Sequence, residues 1–130
     1  TKLLIPDDFA LERFLDNTQE FADLINHNKF ANNYTYHKAI FLMNLTEHLD
    51  TGYLLVKEDE KLHSPLACIF YERYSSVSDA QQWLDKHADE IQVVVSHREG
   101  IGAIDFGTSQ QTVLSDYADG VNTLEFLSQL

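Results

Sequence analysis

Residues 66–95 read LACIFYERYSSVSDAQQWLDKHADEIQVVV, and the rhythm of this stretch decides the fold class. Leu66 to Tyr74 is rich in apolar and aromatic residues, follows Ser64-Pro65, and is the strongest strand candidate in the chain. Ser78, with Gln81 at the capping-box position, predicts the start of a helix with Ala80, Trp83, Leu84 and Ala88 on its inner face. Ile91 to Val95 is again near-continuously apolar, as a strand buried on both faces would be. Strand, helix and strand in that order predict a β-helix-β crossover.

The flanking sequence extends the pattern. Thr1 to Ile5 reads as a short buried strand stopped by Pro6, and Asp7 and Asp8 offer an N-cap for the helix carrying Leu11, Phe14 and Leu15. Thr18 restarts a helical stretch with Phe21, Leu24 and Ile25 inward. A third helix runs from about Lys29 to Met43, with Phe30, Tyr34, Phe41 and Leu45 in a stripe that reads first as core. Asp50-Thr51-Gly52 is turn chemistry, Tyr53 to Val56 a short buried strand, and Glu58 to Lys61 a charged loop. Beyond Val95, Gly100, Gly102 and Gly107 mark loops around a short strand at Ala103 to Phe106. Asn122 and Glu125 suit a capping box for a last helix with Leu124, Leu127 and Leu130. The whole predicts a single α/β unit over 1–130, a layered and mostly parallel sheet flanked by helices.

Composition sets limits on partners. With 21 acidic and 9 basic residues, the net charge is −12, which disfavours nucleic acid and anionic membrane surfaces. No apolar run has the length of a membrane span, so membrane insertion is not expected. The single cysteine, Cys68, has no internal disulfide partner, which fits a reducing cytoplasm. Thr1 opens close to the apolar Leu3-Leu4-Ile5, with no charged leader or small-residue cleavage site, and reads as the interior of a longer chain.

Few constellations carry chemistry. The histidines (His27, His37, His48, His63, His87, His97) have no metal-ligand spacing, and Arg98 beside His97 repels a cation. Cys68 lies mid-strand with no adjacent base and reads as a small buried hydrophobe. There is no Gly-x-Ser-x-Gly elbow, and Gly100-Ile101-Gly102 lacks the third glycine of a dinucleotide fingerprint. Among Glu58, Asp59 and Glu60, a carboxylate could accept hydrogen bonds from ribose hydroxyls, although a solvated loop is the plainer reading. The amides of Asn26, Asn28, Asn32 and Asn33 either cap backbone or face a ligand or partner.

Three segments, NHNKFANNYTYHKAIFLMN (26–44), GYLLVKEDEKLHSPLACIFYERY (52–74) and SDYADGVNTLEFL (115–127), together resemble bacterial acyl-CoA reductases of the bioluminescence fatty-acid reductase family. That family is similar in fold to aldehyde dehydrogenases. The resemblance spans nearly the whole chain and implies the C-terminal part of a catalytic domain. The nucleophilic cysteine is then expected just before Thr1, and the nucleotide-binding half further upstream. The stretch through Ser64-Pro65 resembles the dehydrogenase segment in which a glutamate before Gly-Pro touches the nicotinamide ribose. Glu60 matches that glutamate, with one extra residue before Pro65 and with Ser64 in place of glycine. The implied activity is reduction of an acyl-CoA to an aldehyde by NADPH or NADH, absent from this chain alone. A homo-oligomer is expected, because a cut domain exposes formerly covered sheet. The competing expectation is a non-catalytic interaction or regulatory module of the same fold.

Overall fold

A computed structural model describes residues 1–98, 101, 104–111, 117 and 122–129. The chain divides into two compact units, Thr1–Ser75 and Ser76–Leu130.

The first unit is built on a four-stranded sheet. Its strands are β1 (Lys2–Pro6), β2 (Leu49–Asp50), β3 (Leu55–Glu58) and β4 (Cys68–Tyr74), in the spatial order β1-β4-β3-β2. β4 pairs in parallel with β1, Lys2 opposite Phe70, and with β3, Leu55 opposite Cys68; only β2 runs antiparallel, on β3. The mostly parallel α/β sheet expected from the sequence is therefore present, as a small open sheet.

Successive side chains on a strand point to opposite faces, so β3 supplies one residue to each of two cores. Leu55 and Val56 are both fully buried. Leu55 packs with Cys68, Phe70, Ala67, Tyr34 and Phe41, beneath helix α2 (Asn28–Met43). Val56 packs with Ile5 and Leu11, with Phe14 and Leu15 against them, beneath helix α1 (Leu11–Asn17). The stripe from Phe30 to Phe41 is thus part of this core.

Several local expectations are corrected. Asp7 and Asp8 do not cap α1: its N-cap is Ala10, without a side-chain bond. The Asp7 carboxylate instead accepts from Ser75 Oγ at 2.7 Å, and Arg73 donates to the Asp7 carbonyl at 2.8 Å, which fixes the turn after β1. Residues Gln19–Asn26 form a 3-10 helix, in which Phe21 and Leu24 are exposed and only Ile25 packs inward. The tighter winding moves every third residue back to the same side, so an inward set spaced for an α-helix does not stay inward. Thr18 bonds backward to the Leu15 carbonyl at 2.7 Å and lies 2.8 Å from the Tyr53 hydroxyl.

Leu45 also leaves the predicted stripe. It is 92% exposed, with φ at 52°. The Thr46 N–H donates to the Phe41 carbonyl at 2.8 Å and the Leu45 N–H to the Leu42 carbonyl at 3.2 Å. These two bonds close α2 in a Schellman motif whose left-handed position is usually glycine. Leu45→Gly is expected to raise stability by roughly 0.5–1 kcal/mol, since no packing is lost and the strain of a left-handed leucine outweighs the added chain entropy. Thermal melting checks it; a lower melting temperature contradicts this reading of the helix end.

In the second unit, helix α3 (Val77–Lys86) is capped by Ser76, not Ser78. Ser76 Oγ accepts from the Asp79 N–H at 3.1 Å and Asp79 Oδ2 from the Ser76 N–H at 3.0 Å, so the reciprocal partner is Asp79 rather than Gln81. Trp83 stacks on His87 at 4.1 Å between ring centroids. Ile91 to Val95 is not a strand. Only Val95 makes a bridge, parallel, to Ile104, and Val93 is exposed. The β-helix-β crossover is corrected accordingly, and the parallel pairs come from β1, β3 and β4. Helix α4 (Thr123–Ser128) begins at Asn122 as expected, its side chain accepting from the Glu125 N–H at 3.1 Å, but Leu124 and Leu127 are exposed. Gly100, Gly102, Ala103, Leu130 and most of the segment before Asn122 lie outside the described residues.

Candidate functional site

The best-built polar region is where the loop after β3 meets the beginning of β1. β3 ends in Glu58, and the Asp59 N–H still donates to the Tyr71 carbonyl at 3.1 Å, so the loop leaves the sheet in register with β4. The Asp59 carboxylate then turns the chain. Its Oδ1 accepts from the Lys61 N–H at 2.9 Å, and its Oδ2 pairs with Lys57 Nζ at 2.7 Å. Burial opposes ionisation of Asp59, but the Lys57 and Lys61 contacts outweigh it and hold the carboxyl below its usual range. Lys57 itself lies over the rings of Phe41 and Phe70, at 5.2 and 5.3 Å.

Three hydrogen bonds tie this loop to Thr1 and Lys2. Lys2 Nζ donates to the Asp59 carbonyl at 2.6 Å and also pairs with Glu72. Its side chain is only 4% exposed, so a buried ammonium is matched by a carbonyl and a carboxylate. At the far end of the loop, Ser64 Oγ donates to the Thr1 carbonyl at 2.8 Å and accepts from the Thr1 terminal ammonium at 3.3 Å. Between these pins Glu60, Lys61 and His63 are exposed. Glu60 thus sits on a loop held at both ends, with its carboxylate open to solvent. Asp59, the neighbouring carboxylate, is already engaged.

Pro65 leads into a tight turn in which the Cys68 N–H donates to the Pro65 carbonyl at 3.1 Å and Ala67 takes φ 64°. The turn delivers Cys68 into the core at 5% exposure, where burial pushes its thiol up to about 11 despite the nearby Lys57. A thiol so placed is a poor nucleophile at neutral pH.

A second cluster joins α2 to β2. Tyr34 donates to Asp50 Oδ1 at 2.6 Å, Lys38 pairs with Asp50 Oδ2 at 2.7 Å, and the Gly52 N–H donates to Oδ1 at 2.8 Å. Burial works against the Asp50 charge, yet these three donors hold its carboxyl below the usual range, while burial and Asp50 push the Tyr34 hydroxyl up. With both carboxylate oxygens bonded, the cluster is a structural tie that also fixes the turn at Gly52, where φ is 91°. Sequence reasoning missed both the Lys2–Asp59–Lys57 ties and this cluster.

In the amide-rich run, Asn33 Nδ2 donates to the Lys29 carbonyl at 2.8 Å and Asn26 Nδ2 to Asp23 Oδ1 at 3.5 Å. Among the described residues no three His, Cys, Asp or Glu side chains converge to hold a metal ion, and no helix is long and apolar enough to cross a membrane. No protein-family model, curated protein or solved structure matches the chain.

Proposed function

We propose that this chain is the C-terminal catalytic-domain segment of a nicotinamide-dependent acyl-CoA reductase, which converts an acyl thioester to an aldehyde through a cysteine acyl-enzyme. The three resembling segments support the reading. The observation that carries it is the pinning of the Glu60 loop against Thr1 through Ser64 and Lys2. The resemblance puts the nucleophile just before Thr1 and the ribose contact at Glu60. The Glu60 loop is bonded at Asp59 to Lys2 and at Ser64 to Thr1, about sixty residues away in sequence, which supports the reading.

The residues present suit a nicotinamide ribose. Glu60 is an exposed carboxylate on an anchored loop, and a carboxylate accepts from paired hydroxyls. Asp59 is unsuited, because Lys57 and Lys61 already occupy it. NADPH or NADH, when bound, supplies the hydride. A cysteine thiolate outside this chain would displace the CoA sulfur from the acyl carbon, and the cofactor's hydride would displace the enzyme sulfur in turn, leaving aldehyde. This chain's own part is to support the cysteine loop from the sheet and to hold Glu60 toward the ribose. Buried Cys68 takes no part, so the segment by itself is inert.

The test is acyl-enzyme trapping on the native polypeptide from its source cells. Incubation with acyl-CoA without reduced cofactor is expected to add one acyl mass, mapping to a cysteine immediately upstream of Thr1. Absence of any such cysteine, or acylation at Cys68, overturns the reading and leaves a binding or regulatory module.

A further inference from the structure

We propose that the exposed pair Phe21 and Leu24 on the 3-10 helix, bordered by acidic side chains, is a docking surface for a basic amphipathic helix of a partner protein. The inference is independent of the reductase reading.

The winding of Gln19–Asn26 creates the surface. A 3-10 helix has three residues per turn, so residues three apart line up in rows along its axis. Ala22 and Ile25 form the inward row, both half-buried, with Ile25 packed on the core beneath α2. Glu20, Asp23 and Asn26 form an exposed polar row, in which Asn26 Nδ2 donates to Asp23 Oδ1 at 3.5 Å. Phe21 and Leu24 form the third row, 54% and 46% exposed. Ordinary α-helical winding would carry Phe21 and Leu24 to the side of Ile25, since positions i, i+3 and i+4 share a face. The chain instead holds an aromatic and an aliphatic side chain in line on the solvent side, beside carboxylates. Adjacent exposed apolar groups with a polar rim are the anatomy of an interaction surface.

Charge selects the partner. From Asp7 to Asn28 the chain carries six acids, Asp7, Asp8, Glu12, Asp16, Glu20 and Asp23, and one base, Arg13. Glu12, Asp16, Glu20 and Asp23 are exposed, and among the described residues none of these four is in an ion pair. A second copy would set the same acids against them, on a chain of net charge −12, and is repelled. A segment with Lys or Arg beside apolar anchors is attracted. The spacing suits a helix. Three steps of a 3-10 helix separate Phe21 from Leu24 by about 6 Å along the axis, which is the rise of four residues of an α-helix. Apolar side chains at i and i+4 of the partner therefore meet the row, and its flanking cations meet Glu20 and Asp23.

The probe is a dye-labelled amphipathic helical peptide of leucine and lysine, compared with one in which glutamate replaces every lysine. Binding to the native polypeptide containing this segment is read by fluorescence anisotropy at low and at physiological salt. Wild type is expected to bind the lysine peptide and not the glutamate peptide, and to bind it more weakly as salt rises. Phe21→Ser with Leu24→Ser is expected to lower the affinity at least ~10-fold. Glu20→Lys with Asp23→Lys, which changes only exposed side chains, is expected to weaken binding by a similar factor. Met43→Ser alters a residue 79% exposed on the acid-free helix α2, and is expected to change the affinity less than about twofold. A wild type that does not bind, an unchanged affinity in the Phe21 and Leu24 double variant, or equal binding of the glutamate peptide overturns the proposal. Self-association of wild type that is lost in the same double variant assigns the row to a second copy and overturns it too.

Discussion

Leu55→Ala is expected to destabilise the first unit by about 2–5 kcal/mol, the range for a fully buried leucine cut back to its Cβ. Leu55 has no exposed surface and sits between Tyr34 and Phe41 of α2 and Phe70 and Cys68 of the central strand. Neighbours on that face come from β4, the turn before it and α2, so the cavity has little freedom to collapse. The expected loss is a large part of the 5–15 kcal/mol typical of a domain. Hydrogen exchange at the amides of β4 is the direct readout, because these lie in the middle of the sheet. Their protection is expected to fall by roughly 30-fold or more, with 1.4 kcal/mol per tenfold. Val56→Ala, on the opposite face, is expected to cost less, since fewer methyl groups are removed. A change at Leu55 below about 1 kcal/mol would contradict the two-core packing.

The second large effect concerns Cys68. Its thiol is raised to about 11 from an ordinary value of 9.0, first by burial. At pH 8 the thiolate is then about a hundredfold scarcer than in a free cysteine, before any steric shielding, so alkylation by iodoacetamide is expected to be at least that much slower than in unfolded chain. The same shift acts on stability. A folded-state value above the unfolded one means that the contribution is complete below pH 9 and is lost as pH rises from 9 through 11. Tyr34 and Tyr71 are raised as well, both chiefly by burial, and add alkaline loss of the same sign. Denaturant melts at pH 8 and pH 11 are expected to differ more in wild type than in Cys68→Ala, by on the order of 2 kcal/mol. Equal alkaline losses in the two proteins, or rapid alkylation of native Cys68, would overturn its burial. A thiol so suppressed also leaves the nucleophile of the proposed reaction to be found elsewhere.

The sequence makes some of this legible because local pattern and tertiary burial agree. β4 is recognisable from its apolar run, α2 from Tyr34 and Phe41 at helical spacing, and the Gly52 turn from Asp50-Thr51-Gly52. The misses have physical causes. Ile91 to Val95 is as apolar as a buried strand, but apolar content reports burial and not pairing, and only Val95 finds a partner. Ser76 and Ser78 both precede an apolar helix, and the choice falls to the one whose third successor, Asp79, returns the bond. The 3-10 winding of Gln19–Asn26 leaves no mark distinguishing it from an α-helix with the same residues. Glu60 was visible as one acid among three. That Asp59 is the engaged acid depends on Lys57 and on the Lys61 N–H, contacts set by the loop's path. The Ser64–Thr1 contact is less legible still, because it joins the two ends of a long excursion through three strands, two α-helices and a 3-10 helix.

The reductase reading is tested most directly by one assay. The native polypeptide containing this segment is mixed with a long-chain acyl-CoA and either NADPH or NADH, and loss of reduced nicotinamide is followed alongside aldehyde formed. Acyl-CoA-dependent oxidation with one aldehyde per nicotinamide, unaffected by Cys68→Ala, is the expected result. No acyl-CoA-dependent oxidation with either cofactor, from a polypeptide shown to be folded, would contradict it.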